Sequence, residues 1–97
     1  MYWNYRVIKS NVPVQDEDKV YEVYALHEVY YDNDGYPGSW TLNPITLDNY
    51  DDSEDMKDSI TLMMDAFKKP VLLLTEDTEG NECLIEIDTP TTTGDVI

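Results

Sequence analysis

Few residues in this chain have the side chains that chemistry needs. His27 is its one histidine and Cys83 its one cysteine. A general base needs a nucleophile or an orienting carboxylate within reach, and no motif here supplies either. His27 falls on the apolar-rich side of a segment with strand periodicity, which predicts a hydrogen-bonded, partly buried imidazole. Cys83 sits in an apolar run with acidic neighbours, the opposite of the electropositive setting that activates a thiolate. It reads as a small core residue. Asp32-Asn33-Asp34-Gly35 has the look of a calcium loop. With Gly35 at the sixth position of an EF-hand, however, the first falls on Tyr30 and the twelfth on Thr41. Both ligands are missing, and the stretch reads as a hairpin turn. Asp48, Asp51, Asp52, Asp55 and Asp58 lack alternating ligand spacing and a closing bidentate Glu. They read as a solvated acidic face. There is no glycine-rich phosphate loop, CxxC pair, HExxH or nucleophile elbow. The expectation is a protein that is no enzyme, with no catalytic, cofactor-binding or metal-ligating residue.

The charge is the larger signal. The 97 residues carry 21 Asp+Glu against 6 Lys+Arg, a formal net charge of −15. Binding to nucleic acid through phosphate neutralisation needs clustered Lys and Arg, so direct DNA or RNA binding is excluded. Docking on an anionic membrane is excluded for the same reason. No run approaches the roughly 18–20 apolar residues of a membrane span. The start, Met1-Tyr2-Trp3-Asn4-Tyr5-Arg6, does not read as a signal peptide. With a lone cysteine, this predicts a cytoplasmic protein of a bacterial or phage-infected cell.

High charge alone would signal disorder, but 41% of the residues are hydrophobic, with eight Tyr and two Trp. Tyr2 to Lys9 alternates in side-chain type, as a strand does, and Asn11-Val12-Pro13 is expected to end it. Val20 to Tyr31 is a second strand. Tyr21, Val23, Ala25, His27, Val29 and Tyr31 share one face; Glu22, Tyr24, Leu26, Glu28 and Tyr30 share the other. Ser39 to Leu42 reads as a third, giving an antiparallel meander. Asp52 or Ser53 caps a helix. Met56, Ile60, Met63, Met64 and Phe67 form its apolar stripe, and Pro70 stops it. Val71-Leu72-Leu73-Leu74 and Cys83 to Ile87 complete the pattern as two short strands that can pair. The predicted fold is α+β: an antiparallel sheet of three to five strands with one amphipathic helix packed on one face, in the order β-β-β-α-β-β. Residues 1–88 form one domain, and 89–97 are expected to be a flexible C-terminal tail.

Two kinds of partner surface follow. Asp48, Asp51, Asp52, Glu54, Asp55, Asp58 and Asp65 place carboxylates along a helix and the loop before it. Such a row can imitate a run of phosphates and steer onto a basic protein surface. Tyr24 and Tyr30, on the mixed face of the second strand, are rings that one helix does not fully cover. Uncovered Tyr and Trp suit a protein interface, and a homodimer packing those faces together is its simplest form. The primary expectation is a non-enzymatic acidic binding module or inhibitor that occupies a basic surface of a partner, such as a nucleic-acid-binding one. The alternative is an accessory or structural domain that self-associates through its aromatic sheet face.

Trp3-Asn4-Tyr5-Arg6-Val7-Ile8, Leu26-His27-Glu28-Val29-Tyr30-Tyr31-Asp32-Asn33-Asp34-Gly35, Ser39-Trp40-Thr41 and Lys69-Pro70-Val71-Leu72 together form a pattern. It resembles that of a family of small uncharacterised bacterial proteins. The resemblance spans roughly residues 3–74 and implies no activity. In size and acidity alone, the chain is also similar to phage-encoded acidic inhibitors of the anti-CRISPR and DNA-mimic kind.

Overall fold

The computed structural model describes residues 2–16 and 18–88, and the tail expected at 89–97 lies outside them. The elements are β1 (Tyr2–Pro13), β2 (Val20–Tyr31), β3 (Pro37–Trp40), α1 (Ser53–Met64), a 3-10 turn (Asp65–Lys68), β4 (Val71–Glu76) and β5 (Glu82–Asp88). They form an α+β domain, a five-stranded mixed sheet with a single helix. The strand order is β3-β2-β1-β4-β5. β1 to β3 form the antiparallel meander, and β4 and β5 the second hairpin.

β1 is the centre of the sheet and pairs parallel with β4, Ile8 opposite Leu72 and Lys9 opposite Leu73. The helical segment makes this possible, because parallel neighbours need a crossover and a two-residue turn cannot supply one. β1 also runs to Pro13, past the stop expected at Asn11. Proline is tolerated at a strand end, and here Pro13 lies opposite Val20 as the last pair of the hairpin. β3 lies two residues earlier than the Ser39–Leu42 reading.

The two tight turns share one design. Asp32 Oδ1 accepts the backbone N–H groups of Asp34 (2.9 Å) and Tyr36 (3.0 Å). Asp77 Oδ1 accepts those of Glu79 (2.8 Å) and Asn81 (3.0 Å). Each turn ends on a glycine with positive φ, Gly35 at 88° and Gly80 at 85°, a conformation that strains any side chain. So Asp77-Thr78-Glu79-Gly80-Asn81, which looks long for a hairpin, repeats the geometry of Asp32-Asn33-Asp34-Gly35-Tyr36. The N–H groups from Asn81 and Glu79 hold the Asp77 carboxyl below its ordinary pKa. A depressed folded pKa stabilises above the unfolded value, and that stabilisation is lost as pH falls through the folded one. Asp77→Asn is therefore expected to be less stable than wild type at neutral pH. The gap should close below the carboxylate range in urea titrations run at a series of pH values.

Asp52 is the N-cap of α1. Its side chain accepts Asp55 N–H at 2.8 Å, and Glu54 and Asp55 occupy the first turn, where the dipole favours negative charge. Asp52→Ala is expected to cost about 1 kcal/mol in chemical denaturation. At the other end Lys69 is extended, at φ −117° and ψ 159°, because the following Pro70 excludes the helical region.

The main core lies on one face of the sheet. Ile8, Val29, Leu72 and Leu84 are buried together there, with Tyr31, Trp40 and Leu74 against them. The sheet closes over this face itself, since the outer strands β3 and β5 touch. The helix packs on the other face. Met63 and Ala66 are buried outside the Ile8 cluster, and the helical segment touches β1. Of the apolar stripe, Met63 is buried, Met56 and Ile60 are half-buried, and Met64 and Phe67 are exposed. The buried position one turn on from Met63 is Ala66, whose small side chain allows close approach.

Candidate functional site

Arg6 is the most constrained polar residue. Alternation along β1 places it with Ile8 on the core face, opposite His27, and it is 5% exposed. Nη1 donates to Tyr31 Oη at 2.9 Å, and Tyr31 Oη donates onward to Asn4 Oδ1 at 2.7 Å. Nη2 donates to the Pro70 carbonyl at 2.7 Å and lies 3.5 Å from Glu86 Oε2. Arg6 thus ties the central strand to the junction between the helix and β4 and to β5. Its Nε is buried without a hydrogen-bond partner. That atom is sealed from solvent, so this is a structural clamp rather than an open site.

His27 is buried, and Nδ1 donates to the Thr41 carbonyl at 2.9 Å, with Thr41 Oγ1 at 3.2 Å. This bond pins the segment after β3 to β2. Cys83 is half-buried on β5. Its neighbour Leu84 points into the core with Val29, so alternation sends Cys83 to the face opposite His27. The fold does not bring the two together. Among the described residues no three or more His, Cys, Asp or Glu side chains gather to hold a metal ion.

The acidic residues divide into two groups. Asp48 and Asp51 are exposed in the loop before α1, and Asp52 is spent on the cap. Glu54, Asp58 and Asp65 recur at i, i+4 and i+11 along one helix face, with Asp55 beside them, and all are exposed. Two lysines answer this row at long range: Lys57 is 3.9 Å from Glu54 and Lys68 is 3.6 Å from Asp65. Exposed pairs of this kind neutralise little, so the row stays strongly negative.

The two tyrosines part company. Tyr24 lies in the projecting half of the β1–β2 hairpin, 58% exposed, with Lys9 Nζ 6.0 Å from its ring centre. Tyr30 is half-buried at the other end of β2 and donates to Glu28 Oε1. That bond, then burial, then the charge of Glu28 push its pKa up. Six residues of strand, about 20 Å, separate the two rings.

Tyr30 belongs instead to an aromatic group on the helix-facing side. Trp3 lies 6.4 Å from Tyr30 and meets Tyr5 edge to face at 5.2 Å and 86°. Burial first, then Glu28 and Tyr50, raise the Tyr5 pKa. A cleft of about 370 Å³ opens where Tyr2, Trp3 and Tyr5 meet Leu62, Asp65 and Lys69. Sequence periodicity assigned Trp3 and Tyr5 to one strand face but could not tell that Trp3 stays 42% exposed beside the helix end. Aromatic spacing at 3 and 5 together with an acid in the last helical turn was the available signal. No helix among the described residues is long and apolar enough to cross a membrane. No protein-family model, curated protein or solved structure matches the chain.

Proposed function

We propose that this protein is a non-enzymatic acidic binding module, an inhibitor that works by occupying a basic surface of a partner protein, such as a nucleic-acid site. The observation that carries this reading is the row Glu54, Asp55, Asp58 and Asp65, continuous with Asp48 and Asp51. It is an exposed acidic face on a helix, answered by long pairs from Lys57 to Glu54 and from Lys68 to Asp65. A rigid row of carboxylates presents its charge without the ordering cost that a disordered acidic tail pays on binding. Two copies at −15 each repel one another, which favours a basic partner over self-association.

The immobilised chain, challenged with lysate of its native host at low salt, tests this. It is expected to retain basic nucleic-acid-binding proteins that duplex DNA or RNA displaces, as read by mass spectrometry. The triple variant Glu54→Gln, Asp55→Asn, Asp58→Asn is expected to lose them. Retention unaffected by nucleic acid and by the triple variant would remove the reading.

A further inference from the structure

The cleft beside the aromatic group shares Asp65 with the acidic row and adds rings that the rest of the row lacks. Resting on the reading above, we propose that the cleft between the start of β1 and the end of α1 receives an arginine side chain of the partner protein.

Three features converge on a guanidinium. The first is the wall. Trp3 and Tyr5 stand edge to face at 86°, both line the cleft, and Trp3 keeps 42% of its surface exposed. Indole is the best of the aromatic faces for a cation, and a planar guanidinium stacks on it where an ammonium cannot. The second is the polar end. Asp65 closes α1 and lines the cleft, where the negative end of the helix dipole adds to its carboxylate. A carboxylate accepts a guanidinium through two parallel hydrogen bonds. The third is the field. Glu28 adds to burial in raising the Tyr5 pKa, so the wall itself lies in negative potential. An anionic guest would face all of this in a chain of net charge −15.

The chain's own cations mark what the guest must displace. Lys68 sits 3.6 Å from Asp65, both exposed, a pair weak enough for a bidentate guanidinium to replace. Lys69 lines the same cleft and repels a second cation. Removing that ammonium should therefore tighten the site, which a purely structural cleft would not show.

The test is an NMR titration of the full chain with Nα-acetylarginine amide, with the lysine and norleucine analogues as controls. The Trp3 indole N–H and the Leu62 methyls are expected to shift saturably, most tightly with arginine. Asp65→Asn should weaken the arginine response about threefold, and Lys69→Met should strengthen it by a similar factor. Trp3→Leu should abolish it, with the far-UV circular dichroism and urea midpoint of that variant as the check that its fold is intact. No saturable shift, or equal shifts from arginine and norleucine, overturns the proposal. The two readings fail separately. If the arginine probe binds but basic host proteins are not retained, the functional reading falls and the cleft stands. If those proteins are retained equally by Asp65→Asn and Trp3→Leu, the arginine site falls and the functional reading stands.

Discussion

Replacing Arg6 with alanine is expected to destabilise the domain by about 3 kcal/mol, a large share of the roughly 5–10 kcal/mol available to a chain of this size. The cost comes chiefly from the backbone. The Pro70 carbonyl would lose its 2.7 Å donor, and Tyr31 Oη would lose the donor that orients it toward Asn4. The aliphatic stem, buried beside the core, would also leave a void. Glu86 contributes less, because its side chain is 61% exposed and returns to water. The reciprocal change Glu86→Gln is therefore expected to cost less than Arg6→Ala, although it strips the counter-charge from a buried guanidinium. Arg6→Lys should rescue little, since one ammonium cannot span Tyr31 and Pro70 as the fork does. Urea denaturation followed by far-UV circular dichroism ranks the three. Equal stability of Arg6→Lys and wild type would show that charge, not the fork, is what matters.

Leu72→Ala is expected to cost about 3 kcal/mol by the same measurement. Leu72 is fully buried, packed with Ile8, Val29 and Leu84 where the parallel pairing of β1 and β4 crosses the core. Its buried cluster is drawn from β1, β2 and β5 besides its own strand, so no single element can move to fill the space. The comparison is Leu62→Ala, on the same domain but largely exposed, which should cost well under 1 kcal/mol. Similar costs at the two positions would mean that the core is not where the sheet closes on itself.

Much of the fold was legible in the residues. Alternation gave β2 its bounds, Val20 to Tyr31, and its two faces. Asp52 and Pro70 bracketed the helical segment because capping and proline sterics are local. The Asp-x-x-Gly turn between β2 and β3 was legible for the same reason. Its twin at Asp77 was legible as a polar turn between two strands that can pair, but not as a tight one, since Thr78-Glu79 carries no turn preference and the signal lies in Asp77 and Gly80 alone. The parallel partnership of β1 and β4 could not be read. Val71-Leu72-Leu73-Leu74 has no alternation, and an apolar run does not name its neighbour. Burial of Arg6 ran against residue type, because the core face of β1 is the one that carries Arg6 and Ile8 while Trp3 stays partly open. A charged residue is buried when the fold gathers its partners, here Tyr31, Pro70 and Glu86, from three distant segments. For the site, the acidic helix row was legible from helical periodicity, whereas the aromatic cleft needs β1 placed against the end of α1.

The central claim is that charge on the ordered helix face drives association with a basic partner. The most direct measurement is the affinity of the chain for its captured partner, by titration calorimetry, as salt rises from about 50 to about 500 mM. The account expects affinity to fall steadily with salt, and the triple variant Glu54→Gln, Asp55→Asn, Asp58→Asn to bind about tenfold more weakly at low salt with a shallower dependence. An affinity unchanged across that range, and equal in the triple variant, would contradict it.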